Sequence, residues 1–229
     1  MAGSPDEREL RDAVTARLRK LLPSARIVHE LNTAGQGSYR MDLAAITRDQ
    51  IIAVEIKSKR DKLDRLSHQI EAFNACAHLC IVAAHRKHFV NYESKYERRA
   101  DYPQTLVLNH PLGDTRQMLD RVWCYPFDTE FKLENQFENS REWSFPRNWH
   151  QRFPPAPVPL LRMLWAAELK SECSRHRIVT SARSTIASMI TDMANLMTGR
   201  EIVHAVCRQL RSRNFAEADA PIIDERIAA

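Results

Sequence analysis

The chain has 229 residues, of which 44% are hydrophobic and 28% charged, with a formal net charge of +5. That make-up suits one large globular domain, or a domain with a helical appendage, and the positive balance mildly favours a polyanionic partner. No run of about 18 apolar residues is present, so no membrane span is expected. The polar start Met-Ala-Gly-Ser-Pro-Asp-Glu-Arg is not expected to act as a secretory signal. The five cysteines, Cys76, Cys80, Cys124, Cys173 and Cys207, are odd in number and lack CxxC spacing, which points to reduced thiols in the cytoplasm.

Residues 6–22 read as a helix. Leu10, Val14, Leu18 and Leu21 recur at helical spacing, and Ser4, Pro5, Asp6 and Glu7 make a good helix start. Pro23 ends it. A short strand follows at 26–31. Glu30 can be read as a third acid at a metal site or as an exposed strand residue. The polar loop 32–38 carries Gly35 and Gly37. It is either an ordinary turn or a place where a substrate backbone comes close.

Residues 39–57 read as a β-hairpin, with strands at 39–46 and 51–57 and a four-residue loop between. If Ile46 faces Ile51, counting outward sets Asp42 opposite Glu55, with Cβ atoms roughly 4.5–5.5 Å apart. Glu55 and Lys57 share a face with Ala53, while Ile52, Val54 and Ile56 form an apolar back. Two carboxylates this close raise each other's pKa unless a cation sits between them. A hard divalent cation such as Mg²⁺ accounts for the pair. The plainer reading is a half-exposed strand with a cross-strand ion pair.

A helix is expected over 61–76, capped by Asp61 and buried through Leu63, Leu66, Ile70 and Phe73. Gln69 flanks that stripe, as a boundary residue or as one aimed at the acids. The apolar run 78–84 suits a strand covered on both faces. Cys76, His78, Cys80 and His85 match no common zinc spacing, and buried thiols are the simpler account. Helix, strand, hairpin, helix and strand in this order predict a parallel crossover beside the hairpin. The fold class is therefore α/β, a mixed central sheet flanked by helices, with a helical C-terminal region.

Residues 85–99 are charged, either helical or partly mobile. Short strands are expected at 104–108 and 121–125. Residues 125–142 carry five acids against two bases and read as a solvated loop. The proline-rich 153–159 reads as a stiff extended connector. This divides the chain into a core at 1–100, an irregular extension at 101–159 and a helical region at 160–229. In that last region helices are expected over 160–173 and 184–196. Thr198 and Glu201 form a capping box that opens a third helix to about 213. The third helix carries Arg200, Arg208, Arg211 and Arg213. It belongs either to a helix-turn-helix or to a bundle that packs on the core or makes a homodimer.

Asp42, then Glu55-Ile56-Lys57, in this order of elements, resemble the PD-(D/E)xK nuclease superfamily over about residues 6–84. The stretch from Glu55 through Asp61-Lys62-Leu63-Asp64-Arg65-Leu66 to Gln69 looks like small bacterial and phage-borne nuclease-like proteins. Some of these carry a helical C-terminal part with a Leu-Trp helix, as Leu164-Trp165 does here. The resemblance implies a restriction-endonuclease-like αβββαβ core with Asp42 and Glu55 as ligands of Mg²⁺ or Mn²⁺. The Ile56 carbonyl would be a further ligand, and Lys57 would position the attacking water. Gln69 matches a glutamine of RecB-like and resolvase-like members. Glu30 would stand for the superfamily's upstream glutamate, which usually lies on the first helix. Met41 replaces the proline of the motif, Phe73 stands where RecB-like members often have tyrosine, and no four-cysteine iron–sulfur pattern is present.

The implied activity is a metal-dependent deoxyribonuclease acting on DNA, whether duplex, branched or single-stranded. Arg40, Lys59, Arg60, Lys62 and Arg65 would attract the backbone. The rivals are a catalytically inactive nucleic-acid-binding module on the same fold, and an interaction protein that uses its C-terminal helices.

Overall fold

The computed structural model describes residues 5–33, 39–92, 105–109, 121–126, 132–133, 143–145 and 155–223. Helix α1 spans Pro5–Leu21 and is followed by β1 (Arg26–Asn32), β2 (Arg40–Ile46) and β3 (Ile51–Lys57). Then come α2 (Leu66–Asn74) and β4 (Leu79–His85), in the expected α-β-β-β-α-β order. Strand β7 (Arg121–Tyr125) completes a five-stranded sheet in the order β1-β2-β3-β4-β7. The first three strands are antiparallel, and β3, β4 and β7 run parallel. The fold is thus the mixed α/β sheet flanked by helices that the sequence predicts.

Each face of the sheet has its own apolar layer. On one face, Leu10, Val14 and Leu18 of α1 pack on Ile27, Leu43, Ile52, Val54, Ile56 and Trp123. Burying each such aliphatic side chain contributes about 1.5–3 kcal/mol. On the other face, Val28, Ala44, Ile46, Ile51 and Ala53 share one cluster with α2 and the C-terminal helices. These are α3 (Pro157–Leu161), α4 (Ala166–Arg175), α5 (Ile186–Leu196) and α6 (Gly199–Ser212). The half-exposed strand of the plainer reading is therefore covered. Glu55 and Lys57 are only 2% and 6% exposed.

Several local expectations need correction. The helix expected over 61–76 begins later because Asp61 is engaged elsewhere. Its carboxylate accepts from the amide and hydroxyl of Ser58, each at 2.6 Å, and Arg65 is the residue at the N-cap. The single helix expected over 160–173 is two, with residues 162–165 between them. There Arg213 donates to the Met163 carbonyl at 2.8 Å, and Glu168 accepts from the Trp165 amide at 2.7 Å. Both bonds draw backbone groups out of one continuous helical ladder. The proline connector is also not extended throughout, since Pro157 opens α3, where its missing N–H costs nothing.

Within 85–99 the chain makes a 3-10 turn, Arg86–His88, and then β5 (Phe89–Tyr92); residues 93–99 lie outside the described ones. Strand β5 pairs with β6 (Thr105–Leu108), which pairs in parallel with β8 (Lys132–Leu133). Strand β8 has no counterpart among the elements expected from the sequence. Of the glycine loop, residues 34–38 lie outside the described ones, as do Ser4 and most of the acidic stretch. Helix α6 has its capping box, with Thr198 Oγ1 accepting from the Glu201 amide and Glu201 accepting from the Thr198 amide. Its Ile202, Val203, Val206 and Leu210 are buried in the shared cluster. Arg208 pairs with the fully buried Glu172, and Arg213 pairs with Glu168. This is bundle packing, and these arginines are held within the fold. Among the described residues, no helix is long and apolar enough to cross a membrane.

Candidate active site

The hairpin register is the one counted from the sequence. Ile46 faces Ile51, and the ladder runs to Leu43 opposite Val54. The next rung would set Asp42 against Glu55. There the ladder gives way to a side-chain bond, with the Ile56 amide donating to Asp42 Oδ2 at 2.7 Å. The Asp42 carbonyl accepts from Arg11 Nη1 at 3.1 Å. Asp42 is thereby held at both ends, by β3 and by α1.

Glu55 lies in a tight cluster. Its Oε1 accepts from Lys57 Nζ and from Gln69 Nε2, both at 2.6 Å, and Lys57 Nζ also donates to Gln69 Oε1 at 2.9 Å. Gln69 points at the acids because Ile70 and Phe73 anchor α2 in the core, which turns the adjacent position toward the end of β3. The second oxygen, Glu55 Oε2, is buried with no hydrogen-bond partner. Buried carboxylate oxygens are rarely left so, because a lost partner costs about 1–3 kcal/mol, and more when the group is charged.

The electrostatics agree with the packing. Burial first, and then the nearby Asp42, push the Glu55 carboxyl up to about 8 against the pull of Lys57 and Gln69. Burial raises Asp42 to about 6, opposed by the Ile56 amide, Arg11 and Lys57. At neutral pH the pair is therefore short of positive charge. Two adjoining carboxylates with an unpartnered oxygen fit a hard cation, and the Ile56 carbonyl lies on the same strand between Glu55 and Lys57. Among the described residues no three His, Cys, Asp or Glu side chains form a metal-holding group. A cation here would rest on Asp42 and Glu55 together with main-chain and solvent oxygens, a set Mg²⁺ commonly takes.

Glu30 stands opposite Asp42 by register, between the pairs His29–Leu43 and Leu31–Met41. Its φ of 53° is left-handed, an uncommon state for a residue other than glycine. The kink sends its carboxylate to Arg11 at 3.5 Å and to the exposed Arg40 at 3.8 Å. It is still near enough to raise the pKa of Asp42. Glu30, Asp42 and Glu55 thus form one row across three strands. Lys59, Arg60, Lys62 and Arg65 are exposed along the segment between β3 and α2.

Two residues of this region have no signal in the sequence. Arg11 reads as one more base between the apolar positions of α1, and only the packing of α1 on the sheet brings it to Asp42. His88 falls in a charged stretch, and its Nε2–H donates to the Ser58 carbonyl at 2.8 Å. By contrast, Cys76, His78 and Cys80 are buried. His78 Nδ1 accepts from the Ile51 amide, and burial pushes the Cys76 thiol up to about 12.

The chain is an α/β protein with a carboxylate pair, Glu55 buried and Asp42 half-buried, and a buried lysine at the carboxyl end of a parallel strand in a mixed sheet. Residues 3–100 match the model of the bacteriophage P4 protein cII family. Over that stretch, which takes in Asp42, Glu55, Lys57 and Gln69, the chain is similar to a phage protein. No curated protein and no solved structure matches the chain.

Proposed function

We propose that the protein is a metal-dependent nuclease of the PD-(D/E)xK kind that hydrolyses phosphodiester bonds in DNA. The observation that carries this reading is Glu55 Oε2, buried without a partner beside Asp42 and one residue pair away from a clasped lysine. Asp42 and Glu55, with the Ile56 carbonyl, would hold Mg²⁺ or Mn²⁺, and Glu30 would act on the site through Asp42 or through water. When bound, such an ion supplies Lewis-acid polarisation of the phosphate and lowers the pKa of a coordinated water.

The chain's own residues do the rest. Lys57 spends two of its three N–H donors on Glu55 and Gln69. The third would hold the attacking water and meet negative charge as it grows on the phosphate. Gln69 keeps the ammonium and the carboxylate in place, and Arg11 fixes the backbone that carries Asp42. Water adds to phosphorus and one P–O ester bond breaks. The products are a phosphate monoester end and a hydroxyl end. Exposed Arg40, Lys59, Arg60, Lys62 and Arg65 would draw in the backbone without reading sequence.

The test is cleavage of plasmid and single-stranded DNA by purified protein in Mg²⁺ or Mn²⁺, with EDTA as the control. Cutting should stop in EDTA and in Glu55→Ala and Lys57→Ala. Equal cutting by both variants and the wild type would remove the assignment. DNA binding without cleavage would leave a nucleic-acid-binding module in its place.

A further inference from the structure

Beyond the carboxylate pair, two loops leave the sheet side by side. Strands β3 and β4 are parallel, and Lys57 lies beside Ala84. Ser58-Lys59-Arg60, and His85 at the last position of β4 with Arg86-Lys87 of the turn after it, therefore emerge together at the carboxyl ends of adjacent parallel strands. In open α/β sheets that edge is the usual place for a ligand. We propose that these two loops form a docking ledge for the phosphate backbone of DNA next to the cleavage site. Lys59, His85 and Lys87 are its contacts, and His88 is the positioning residue that ties the loops together. The proposal rests on the nuclease reading for its ligand, and it adds His85, Lys87 and His88 to the residues assigned a part.

The tie is specific. A carbonyl oxygen only accepts, so His88 must carry its proton on Nε2 to bond Ser58 at 2.8 Å. Ser58 is buried, and its amide and hydroxyl are both taken by Asp61. Every polar group of Ser58 is thus committed, and Lys59 starts from a fixed point. Across from it, His85 Nδ1 accepts from the Lys87 amide at 3.1 Å. The proton of the neutral ring is then on Nε2, which makes that nitrogen a donor suited to a phosphate oxygen. Burial, together with Lys59, His88 and Lys87, holds the His85 imidazole below its ordinary value, and Asp6 acts the other way. Among the described residues, Lys59 and Lys87 are exposed and form no ion pair. Cations left in this way are available to displace counterions from a nucleic-acid backbone.

The experiment is fluorescence-anisotropy titration of the full-length protein with a short duplex DNA in EDTA, repeated across salt from about 50 to 200 mM. The double variant Lys59→Ala/Lys87→Ala is compared with a charge-matched control, Lys20→Ala/Lys170→Ala, which removes two exposed lysines from α1 and α4. The ledge variant should bind more weakly than the control, and its salt slope should fall by about one for each lysine lost. His85→Ala should weaken binding with little change of slope, because it removes a neutral donor. His88→Ala should weaken binding and His88→Gln, which can still donate to Ser58, should restore it.

Equal affinities and slopes for the ledge and control doubles would overturn the proposal, as would a wild type that binds no duplex. Cleavage assays on the same preparations separate the two readings. Ledge-dependent binding without cutting upholds the ledge and removes the nuclease. Metal-dependent cutting with ledge-independent binding does the reverse.

Discussion

Glu55 is the residue on which the proposed chemistry turns, and its burial bears on stability as well. An ordinary glutamate titrates near 4.5, whereas burial and Asp42 move Glu55 to about 8. Between those values the folded state holds a proton that the unfolded chain has released, so this group's contribution to stability falls as pH rises from about 5 to 8. Asp42, raised to about 6, acts in the same direction over the lower part of that range. Thermal unfolding of the metal-free protein should show the decline, and Glu55→Gln should flatten it. Mg²⁺ or Mn²⁺ needs the carboxylates ionised, so the increase in Tm it produces should be larger at pH 8 than at pH 5. A pH-independent increase in the wild type would argue against metal binding at this pair. Gln69 bonds both Lys57 and Glu55, and Gln69→Ala should lower metal-dependent cleavage by about 10- to 100-fold, as losses of ligand-supporting partners do. Asp42, Glu55 and Lys57 were legible from the strand pattern because side chains alternate with period two, whereas Gln69, on α2, showed only as a flank of a helical stripe. Arg11 and His88 were not, because a base in a charged stretch carries no mark of the backbone group it will meet.

At the scale of elements, Arg26 shows how β1 is bound to the C-terminal helices. It is 1% exposed. Its Nη1 donates to the carbonyls of Leu210, Arg211 and Arg213 at 3.0, 2.9 and 2.6 Å, and its Nε to that of Asp219 at 3.0 Å. One guanidinium therefore takes up the open carbonyls at the end of α6, a task usually left to a C-cap or to water. Arg26→Met keeps much of the volume and removes the donors, and it should cost about 3 kcal/mol or more, read as a lower midpoint in urea. Thr198→Ala, at the other end of α6, removes only the capping hydroxyl and should cost about 1 kcal/mol. The capping box could be read from Thr198 and Glu201 alone, since its partners are three residues apart. The bond between Arg26 and α6 spans more than 180 residues, and no local pattern announces it.

For the whole molecule, the important fact is that one apolar cluster runs from the sheet through α3 to α6. The tail beyond α6 returns to the edge of β1. There the His29 amide donates to the Glu217 carbonyl and the Asp219 amide to that of Ile27, at 3.0 and 2.9 Å. This covers an edge that would otherwise be open to pairing. A chain cut after residue 155 keeps the candidate site but exposes Val28, Ala44, Ile46 and Ala53. It should lose cooperative unfolding and bind a hydrophobic dye such as ANS. If it instead unfolds in a single sharp transition close to that of the full chain, the helices are an appendage and the proline segment is a true domain boundary.

What depends on neighbours along the chain could be read from the residues alone. Helix α1, the hairpin and its register, the buried strand β4 and the capped start of α6 all follow from periodicities of two and 3.6 and from turn and cap chemistry. Asp42 opposite Glu55 belongs to that group, since register is set once Ile46 meets Ile51. Folding set what depends on which surfaces meet. It covered both faces of the hairpin, split the helix at 162–165, turned Arg208, Arg211 and Arg213 into the fold, kinked β1 at Glu30 and brought Arg11 and His88 to the site. Those outcomes follow from burial and from the need of buried polar groups for partners. Such partners are found across the fold, where the order of residues gives no count of distance.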